Sequence, residues 1–181
     1  MAENKKAKIA TVWLCGCSGC HMSLLDLDEK LIDLAQVAEL TASPVTDIKE
    51  CPEVDIALVE GGVGNEDNLR FLKAFRERAK VLASLGDCAG FGCVPMLRNA
   101  FDNEEVLDRA YALTESTMSG SVPQDEELPR LTDKVRPIHE HVRVDAHIPG
   151  CPPEADVIWY AINEILAGRT PTFEDVPISY T

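Results

Sequence analysis

The residues of this sequence best suited to chemistry are its seven cysteines. Cys15, Cys17 and Cys20 lie close together in the stretch WLCGCSGCHMS, whereas Cys88 and Cys151 stand in the glycine-containing segments GDCAGFGC and PGCPP. Thiolates act as nucleophiles, as redox centres and as ligands for soft metals. Four kinds of site are therefore open: a disulfide, a redox dithiol, a zinc site and an iron–sulfur site.

Targeting signals and charge narrow these options. The start, MAENKKAK, is followed by only six apolar-rich residues, which is too few for a signal-peptide core, and no stretch approaches the roughly 20 apolar residues of a membrane span. We therefore expect a cytoplasmic protein, in which an odd number of thiols favours metal or redox chemistry over disulfides. A net charge of −14 argues against nucleic acid and against membrane surfaces as partners.

The elements that must position these thiols alternate between strands and helices. Apolar runs predict strands over residues 8–14, 54–59, 80–85 and 142–148, and each run ends in a loop with glycine. Three- and four-residue apolar spacing predicts a helix over residues 24–37 with Ser23 as its cap, and further helices over the ranges 65–78, 103–112 and 154–166. Residues 114–137 have little periodicity and are predicted to be a long surface excursion, and residues 169–181 an irregular tail.

This alternation predicts an α/β fold, a flavodoxin-like doubly wound parallel sheet. A chain of 181 residues with 45% hydrophobic residues suits one core, so we expect a single domain over residues 1–181. In such a sheet, the loops that follow the strands share the carboxyl edge, where ligands bind. Cys17, Cys20, Cys88 and Cys151 are therefore predicted to converge at one rim.

Four converging thiolates suit zinc or an iron–sulfur cluster. A closed zinc site usually pairs two CxxC units, and here only Cys17 and Cys20 form one. The other two cysteines come singly on glycine or proline loops, which fits a larger cluster better. A thioredoxin-like dithiol stays open, although that chemistry has no use for the GDC and PGCPP loops.

The ordered motifs WLxxCxGCxxS, VEGGV, GDCAxxG and PGCPP resemble the small subunit of nickel-iron hydrogenases, specifically the short cytoplasmic type of bidirectional NAD-reducing hydrogenases. The similarity covers roughly residues 8–168. It implies a proximal [4Fe-4S] cluster bound by Cys17, Cys20, Cys88 and Cys151, with the nickel-iron centre on a separate large subunit.

The resemblance also implies a function and partners. H₂ would be cleaved reversibly in the large subunit, and this chain would relay electrons toward a diaphorase, with iron–sulfur clusters and FMN, that reduces NAD⁺. The chain would be a subunit of an oxidoreductase and would contribute no acid, base or nucleophile. Since the sequence stops at Thr181 and its remaining thiols lack cluster spacing, we expect no second cluster region. FMN bound to this chain is possible but unsupported, because cysteines occupy the turn where flavodoxins bind phosphate.

Two alternatives remain at this point. The first is the cluster-bearing subunit of respiratory NADH:quinone oxidoreductase, which is similar in fold but has two adjacent cysteines where this sequence has Cys15-Gly16-Cys17. The second is a zinc- or dithiol-stabilised protein whose acidic surface binds a partner. Iron and sulfide content would separate the second alternative from the cluster.

Three further cysteines need an interpretation. Cys93 competes with Cys88 as the third ligand, but it is interpreted as a small apolar residue at a helix start. Cys15 is expected to pack near the site without being a ligand. Cys51, before Pro52, is interpreted as a loop thiol.

Polar residues near the thiols are ambiguous. His21 adjoins Cys20 and could contact a cluster sulfur or a partner, or it could be an ordinary polar residue at a helix start. Glu60 precedes two glycines in a turn that could face the large subunit or be an ordinary turn. The three histidines near the last strand, His139, His141 and His147, are interpreted as surface residues without a metal.

Overall fold

The computed structural model describes residues 6–48, 50–174, 176 and 178. In chain order its regular elements are β1 (Ala7–Trp13), α1 (Gly19–Leu25), α2 (Lys30–Val37), β2 (Ala38–Ala42), β3 (Val54–Glu60), β4 (Val63–Asn65), α3 (Glu66–Arg78), β5 (Ala79–Leu85), α4 (Asp87–Phe91), a 3₁₀ helix (Val94–Ala100), α5 (Asn103–Tyr111), β6 (Leu131–Arg136), a second 3₁₀ helix (Ile138–Glu140), β7 (Ala146–Ile148) and α6 (Ala155–Leu166).

Five of the strands form a parallel sheet in the order β2-β1-β3-β5-β7. This is the strand order of flavodoxin-like folds, with the topological switch between β1 and β3. The predicted α/β fold class, a doubly wound parallel sheet, is confirmed.

The sheet separates two hydrophobic cores because successive side chains of a strand point to opposite faces. On β3, Ile56 and Leu58 belong to the core that α1 and α6 cover, whereas Ala57 and Val59 belong to the core that α3 covers. The strands are apolar on both faces, as expected of a sheet with helices on each side.

The register of the sheet aligns the ends of four strands. Trp13 pairs with Glu60, Glu60 with Leu85, and Leu85 with Ile148. These four residues form one row, so the turns that follow them leave the sheet along the same edge. The predicted rim is thereby a consequence of strand register.

The prediction of one helix over residues 24–37 is wrong. The segment forms two helices, α1 and α2, because Asp28 has a φ of +49° that no continuous helix accommodates. The first helix begins at Gly19, before the predicted cap Ser23, and the strand β2 that follows was not predicted. Its alternating sequence, AELTA, offers too short a signal.

The predicted surface excursion over residues 114–137 is wrong at its end, where β6 pairs with β4 in an antiparallel ribbon. Arg98 ties this ribbon to the 3₁₀ helix Val94–Ala100 by donating to the carbonyl oxygens of Gly64, at 3.1 Å, and Thr132, at 2.7 Å. Part of the predicted irregular tail, at 175, 177 and 179–181, lies outside the described residues. Among those described, no helix is long and apolar enough to cross a bilayer.

Candidate metal centre

The four predicted ligands stand at the aligned strand ends. Cys17 lies in the turn after β1, Cys20 in the first turn of α1, Cys88 in α4 directly after β5, and Cys151 in the turn after β7. The side chains of Cys20 and Cys88 are buried, whereas Cys17 and Cys151 are exposed. The rim thus has two thiols beneath its surface and two facing outward.

Mutual electrostatic effects show that these thiols lie close together. Burial raises the pKa of the Cys20 thiol well above its ordinary value, and surrounding negative groups raise that pKa further. Those groups are, in decreasing order, Glu60, Cys88, Cys17 and Cys151. The structure therefore brings together the four cysteines that sequence reasoning selected.

The Cys88 thiol has a similar environment, with burial the largest cause of a pKa raised to about 12. Raised pKa values keep these thiols protonated near neutral pH, so a metal must displace protons to bind thiolates. Within the described ranges, no three Cys, His, Asp or Glu side chains are already arranged to hold one metal ion. The rim is a gathering of thiols and not a preformed cage.

Two loops of the rim are clamped to each other. The backbone N–H of Asp87 donates to the carbonyl oxygen of Gly150 at 2.9 Å, and the N–H of Gly150 donates to Asp87 Oδ1 at 2.8 Å. The peptide bond between Cys151 and Pro152 is cis. Because the clamp joins the residues directly preceding Cys88 and Cys151, it fixes the distance between their backbones.

Glycines leave room for sulfur at this rim. A Cβ atom at Gly86, whose φ is +81°, would lie 2.3 Å from Cys20 Sγ, and one at Gly19 would lie 3.1 Å from Cys17 Sγ. Thiolates on glycine-containing loops are a donor set that iron–sulfur clusters use. The residues present therefore fit such a group.

Cys93 is a fifth thiol at this rim. Burial and, next, the charge of a Cys93 thiolate raise the pKa values of Cys88 and Cys151, so Cys93 lies beside both thiols. Its φ of +39° is one that side chains rarely adopt. The interpretation of Cys93 as apolar filler is wrong in this respect, since its thiol faces two predicted ligands. The five-residue spacing from Cys88 across two glycines was a signal that could have indicated it.

The other two cysteines face elsewhere. Cys15 exchanges backbone hydrogen bonds with Gly62, at 2.8 and 2.9 Å, and its Sγ lies 2.9 Å from the position of a Cβ at Gly64. Cys51 is buried in the core beside α3, and its thiol donates to the carbonyl oxygen of Pro52 at 3.3 Å. Cys51 is thus a loop thiol, as predicted, and its side chain is buried in the core.

His21 and Glu60 contact each other inside the protein. Each is 1% exposed, and His21 Nδ1 lies 2.5 Å from Glu60 Oε2, while His21 Nε2 lies 2.9 Å from Thr11 Oγ1. Both ring nitrogens are therefore paired within the chain, and the ring is buried. The Glu60 side chain is buried inside the protein, and a role of the Glu60-Gly61-Gly62 turn in facing the large subunit stays a prediction.

Of the three histidines near β7, His139 and His147 are exposed as predicted, whereas His141 is half-buried and its buried Nε2 has no hydrogen-bond partner among the described residues. His147 is exposed, and its Nδ1 hydrogen-bonds the buried Ser84 hydroxyl at 2.8 Å, while its ring contacts that of His139 edge to face. Burial lowers the pKa of His147, and His139 lowers it further. In the part of the chain that the structure describes, none of these histidines hydrogen-bonds a thiol.

Comparison with known proteins places the chain in a family. Residues 17–165 match the family described as NADH ubiquinone oxidoreductase, 20 Kd subunit. The chain belongs to this family. The description corresponds to the first alternative above, a subunit of a respiratory NADH:quinone oxidoreductase.

Relatives with high identity are hydrogenase subunits. The NAD-reducing hydrogenase HoxS subunit delta of Cupriavidus necator is 44% identical, over 93% of this chain and 84% of the relative. A subunit of the F420-non-reducing hydrogenase of Methanothermobacter thermautotrophicus is 43% identical over 93% of this chain, which spans 56% of that protein's length. The resemblance to hydrogenase small subunits is confirmed.

The comparison with solved structures also finds hydrogenase chains. A chain in the crystal structure of an NAD⁺-reducing [NiFe]-hydrogenase in the H₂-reduced state matches with a TM-score of 0.93 and 44% identity, over 98% of this chain and all of that chain. A [NiFeSe]-hydrogenase chain of Dm. baculatum matches with a TM-score of 0.56 at 17% identity, which shows a shared fold alone. The chain is thus an oxidoreductase-family subunit with the fold of a hydrogenase small subunit.

Proposed function

We propose that this chain is the electron-transfer small subunit of a cytoplasmic, reversible, NAD-reducing nickel-iron hydrogenase. It holds one [4Fe-4S] cluster through Cys17, Cys20, Cys88 and Cys151, and residues 1–181 form a single flavodoxin-like iron–sulfur domain. The observation that carries the proposal is the convergence of these four thiols at one rim. The similarity to the C. necator subunit, named as part of an NAD-reducing hydrogenase, supports the choice of reaction.

Different residues of this chain have different roles at the proposed cluster site. When bound, the cluster would supply one-electron transfer. Cys20 and Cys88 provide buried ligands, the Asp87–Gly150 clamp sets the spacing of the second and third loops, and exposed Cys17 and Cys151 face outward. Two outward-facing ligands fit a cluster that exchanges electrons with a neighbouring subunit.

The surface beside the thiols suits a protein partner. Phe91, Val94 and Leu97 follow Cys88 along the chain and are 68%, 62% and 71% exposed. Exposed apolar side chains gathered on one segment indicate a contact surface. In the proposal this surface binds the large subunit with the nickel-iron centre, and diaphorase subunits with iron–sulfur clusters and FMN complete the path to NAD⁺.

A second function within the family is the cluster-bearing subunit of an NADH:quinone oxidoreductase, which the family description favours. The separation of Cys15 from Cys17 by Gly16, with Cys15 held in a backbone bridge to Gly62, favours the hydrogenase. The two functions differ in which subunits co-purify with the chain. A large subunit containing nickel supports the first.

The test is metal analysis of the full chain purified without oxygen. We expect about four iron and four sulfide per chain with broad visible absorption. Cys17→Ser should lose or convert the cluster and stop H₂-dependent NAD⁺ reduction by the complex, while the matched control Cys51→Ser should retain both. Stoichiometric zinc without sulfide would instead establish the zinc-stabilised alternative.

A further inference from the structure

A chain of buried polar side chains runs beneath Cys20. Glu60, His21, Thr11 and Ser43 are each at most 2% exposed and come from four separate segments. The links beyond Glu60 are His21 Nε2 to Thr11 Oγ1 at 2.9 Å and Thr11 Oγ1 to Ser43 Oγ at 2.7 Å. Burying polar groups is unfavourable unless each has a partner, so this chain requires an explanation.

The first turn of α1 lacks a local cap. Its N-terminal flanking residue, Ser18, has a φ of +65° and makes no side-chain capping bond. The first backbone N–H groups of a helix need acceptors from outside the helix. Glu60 provides them from the end of β3: Oε1 accepts from the N–H of Cys20 at 3.3 Å and Oε2 from the N–H of His21 at 3.0 Å.

Glu60 is itself held in place by His21. The Nδ1–H of the ring donates to Oε2, and in the neutral ring Nε2 accepts from the Thr11 hydroxyl. The Trp13 ring contacts the imidazole edge to face, with centroids 5.4 Å apart. Because both nitrogens and one edge of the imidazole are engaged, the carboxylate has one orientation.

We infer that Glu60 is a positioning residue that holds the Cys20 thiol at the rim by binding the backbone amides of Cys20 and His21. This inference rests on the proposed function in treating Cys20 as a cluster ligand. His21 acts through Glu60, and Thr11 acts through His21. The hydrogen bonds described for the three side chains go to backbone amides, to one another and to Ser43, not to a thiol.

The position of Cys20 tolerates little movement. Its Sγ lies against Gly86, where even a Cβ would come within 2.3 Å, and a Cβ there would also lie 3.3 Å from the carbonyl oxygen of Gly150. A shift of the first turn would therefore move this thiol into a neighbouring loop. Residues that orient metal ligands from behind typically change metal affinity by about 10–100-fold when substituted.

Glu60→Gln tests the inference with nearly unchanged side-chain shape. The glutamine amide has one oxygen that accepts and one NH₂ group that donates. If the NH₂ group faces the N–H of Cys20, two donors meet and that hydrogen bond is lost. If it faces His21, the hydrogen bonds from His21 are lost. Asp145→Asn is the matched control, because Asp145 Oδ2 also accepts a backbone N–H, from Leu82 at 2.9 Å, and pairs with a second side chain, Arg76, at 2.5 Å. Asp145 directly precedes β7 and so lies at the edge opposite the thiols.

Three measurements on the full anaerobic chain are needed: hydrogen exchange of the Cys20 and His21 amides, the rate of iron loss to a chelator, and the electron paramagnetic resonance spectrum after reduction. Glu60→Gln should speed exchange and iron loss by about 10–100-fold and change the spectrum. Asp145→Asn should lower the thermal midpoint while leaving all three near wild type. Wild-type exchange, iron loss and spectrum in Glu60→Gln would overturn the inference.

Two results would complicate this test: a Glu60→Gln variant that does not fold, and a wild-type chain that binds no iron and sulfide. If Glu60→Gln does not fold, Thr11→Val removes one hydroxyl without changing Glu60 and should shift exchange and iron loss in the same direction by a smaller factor; wild-type values would overturn the inference. If the wild-type chain binds no iron and sulfide, the proposed function fails. Hydrogen exchange at Cys20 then decides the positioning role alone, with unchanged protection in Glu60→Gln counting against it.

Discussion

Cys93 gives the rim one more thiol than a four-ligand cluster uses. Its side chain lies close enough to Cys88 and Cys151 to raise their pKa values, after the larger effect of burial, and its backbone has a positive φ. Cys88 stands directly after β5 within the clamped loops, whereas Cys93 follows Gly92 at the start of a 3₁₀ helix. The backbone of Cys88 is therefore better fixed for a ligand.

We predict that Cys88→Ser loses the cluster and Cys93→Ser retains it. Cys88 is buried with Cys20, so removing it opens the inner side of the site, whereas removing Cys93 eliminates a neighbour of two ligands. The measurement is iron and sulfide content of both variants, prepared side by side. Retention in Cys88→Ser together with loss in Cys93→Ser would reassign the third ligand.

A second prediction at this scale concerns Cys51. Burial raises its pKa to about 11, against an opposing effect of Arg78 and a further increase from Glu53. An acid whose pKa is raised by folding is less ionised, so at pH 9 the folded chain has about 50-fold less thiolate at Cys51 than an unfolded chain. The stability that comes from the protonated thiol is present below pH 9 and is lost as the pH rises toward 11.

Alkylation by iodoacetamide, followed at the Cys51 peptide by mass spectrometry, measures this ionisation. Between pH 9 and pH 10 the folded rate should rise about tenfold, while the rate in concentrated urea should rise less than twofold. Equal pH dependence in the two conditions would show that folding leaves this thiol unperturbed.

At the scale of elements, the turns after the strands decide the site. The turn after β5 needs glycine at position 86 for two reasons, a φ of +81° and the contact with Cys20 Sγ. Gly168, after α6, has a similar φ of +75° but nothing within 4 Å of an added Cβ. An alanine variant at Gly168 therefore measures the cost of the positive φ alone, whereas one at Gly86 adds the steric clash with the Cys20 thiol.

We predict that Gly168→Ala lowers the free energy of unfolding by about 1–2 kcal/mol through its positive φ alone and leaves iron content unchanged. Gly86→Ala has the same strain and also displaces Cys20, so it should lower stability further and lose iron. Urea unfolding and iron analysis of both variants provide the test. Normal iron content in Gly86→Ala would mean that the Cys20 loop adjusts without affecting the site.

At the scale of the whole molecule, the proposed function makes this chain one carrier in an electron-transfer path. A cluster passes electrons singly, whereas NAD⁺ accepts a hydride, which requires a flavin or an equivalent two-electron carrier. The turn after β1, where flavodoxin-like proteins bind ligands at the switch point, is occupied by Cys17 and Cys20. In the proposed function, the reduction of NAD⁺ therefore takes place in other subunits.

We predict that this chain with its large subunit alone reduces one-electron dyes with H₂ but not NAD⁺. Adding the diaphorase subunits should restore NAD⁺ reduction, and the dye assay controls for an intact hydrogen-splitting site. Robust NAD⁺ reduction by the two-subunit pair would contradict the external relay.

Much of the fold was predictable because the local periodicity of apolar residues indicates most of the strands and helices. The strand at residues 54–59 and the helix at 65–78 differ from β3 and α3 by a single residue at one end. Local patterns missed β2, β4 and β6, which are short and owe their conformation to pairing with another strand. The strand predicted over residues 142–148 is regular only in β7, Ala146–Ile148. The break between α1 and α2 was missed because apolar spacing continues across it.

The sequence by itself determined the fold class and the rim, because a parallel sheet forces the loops after its strands onto one edge and the cysteines stand in those loops. Only the tertiary structure decided which other groups reach that edge. Cys93 turns toward Cys88 and Cys151 through an unusual backbone conformation, and Glu60 turns inward to bind the first turn of α1. The five-residue spacing could have indicated the proximity of Cys93 to Cys88, but the contacts of Cys93 with Cys151 and of Glu60 with α1 join segments distant in sequence. No local spacing encodes such contacts.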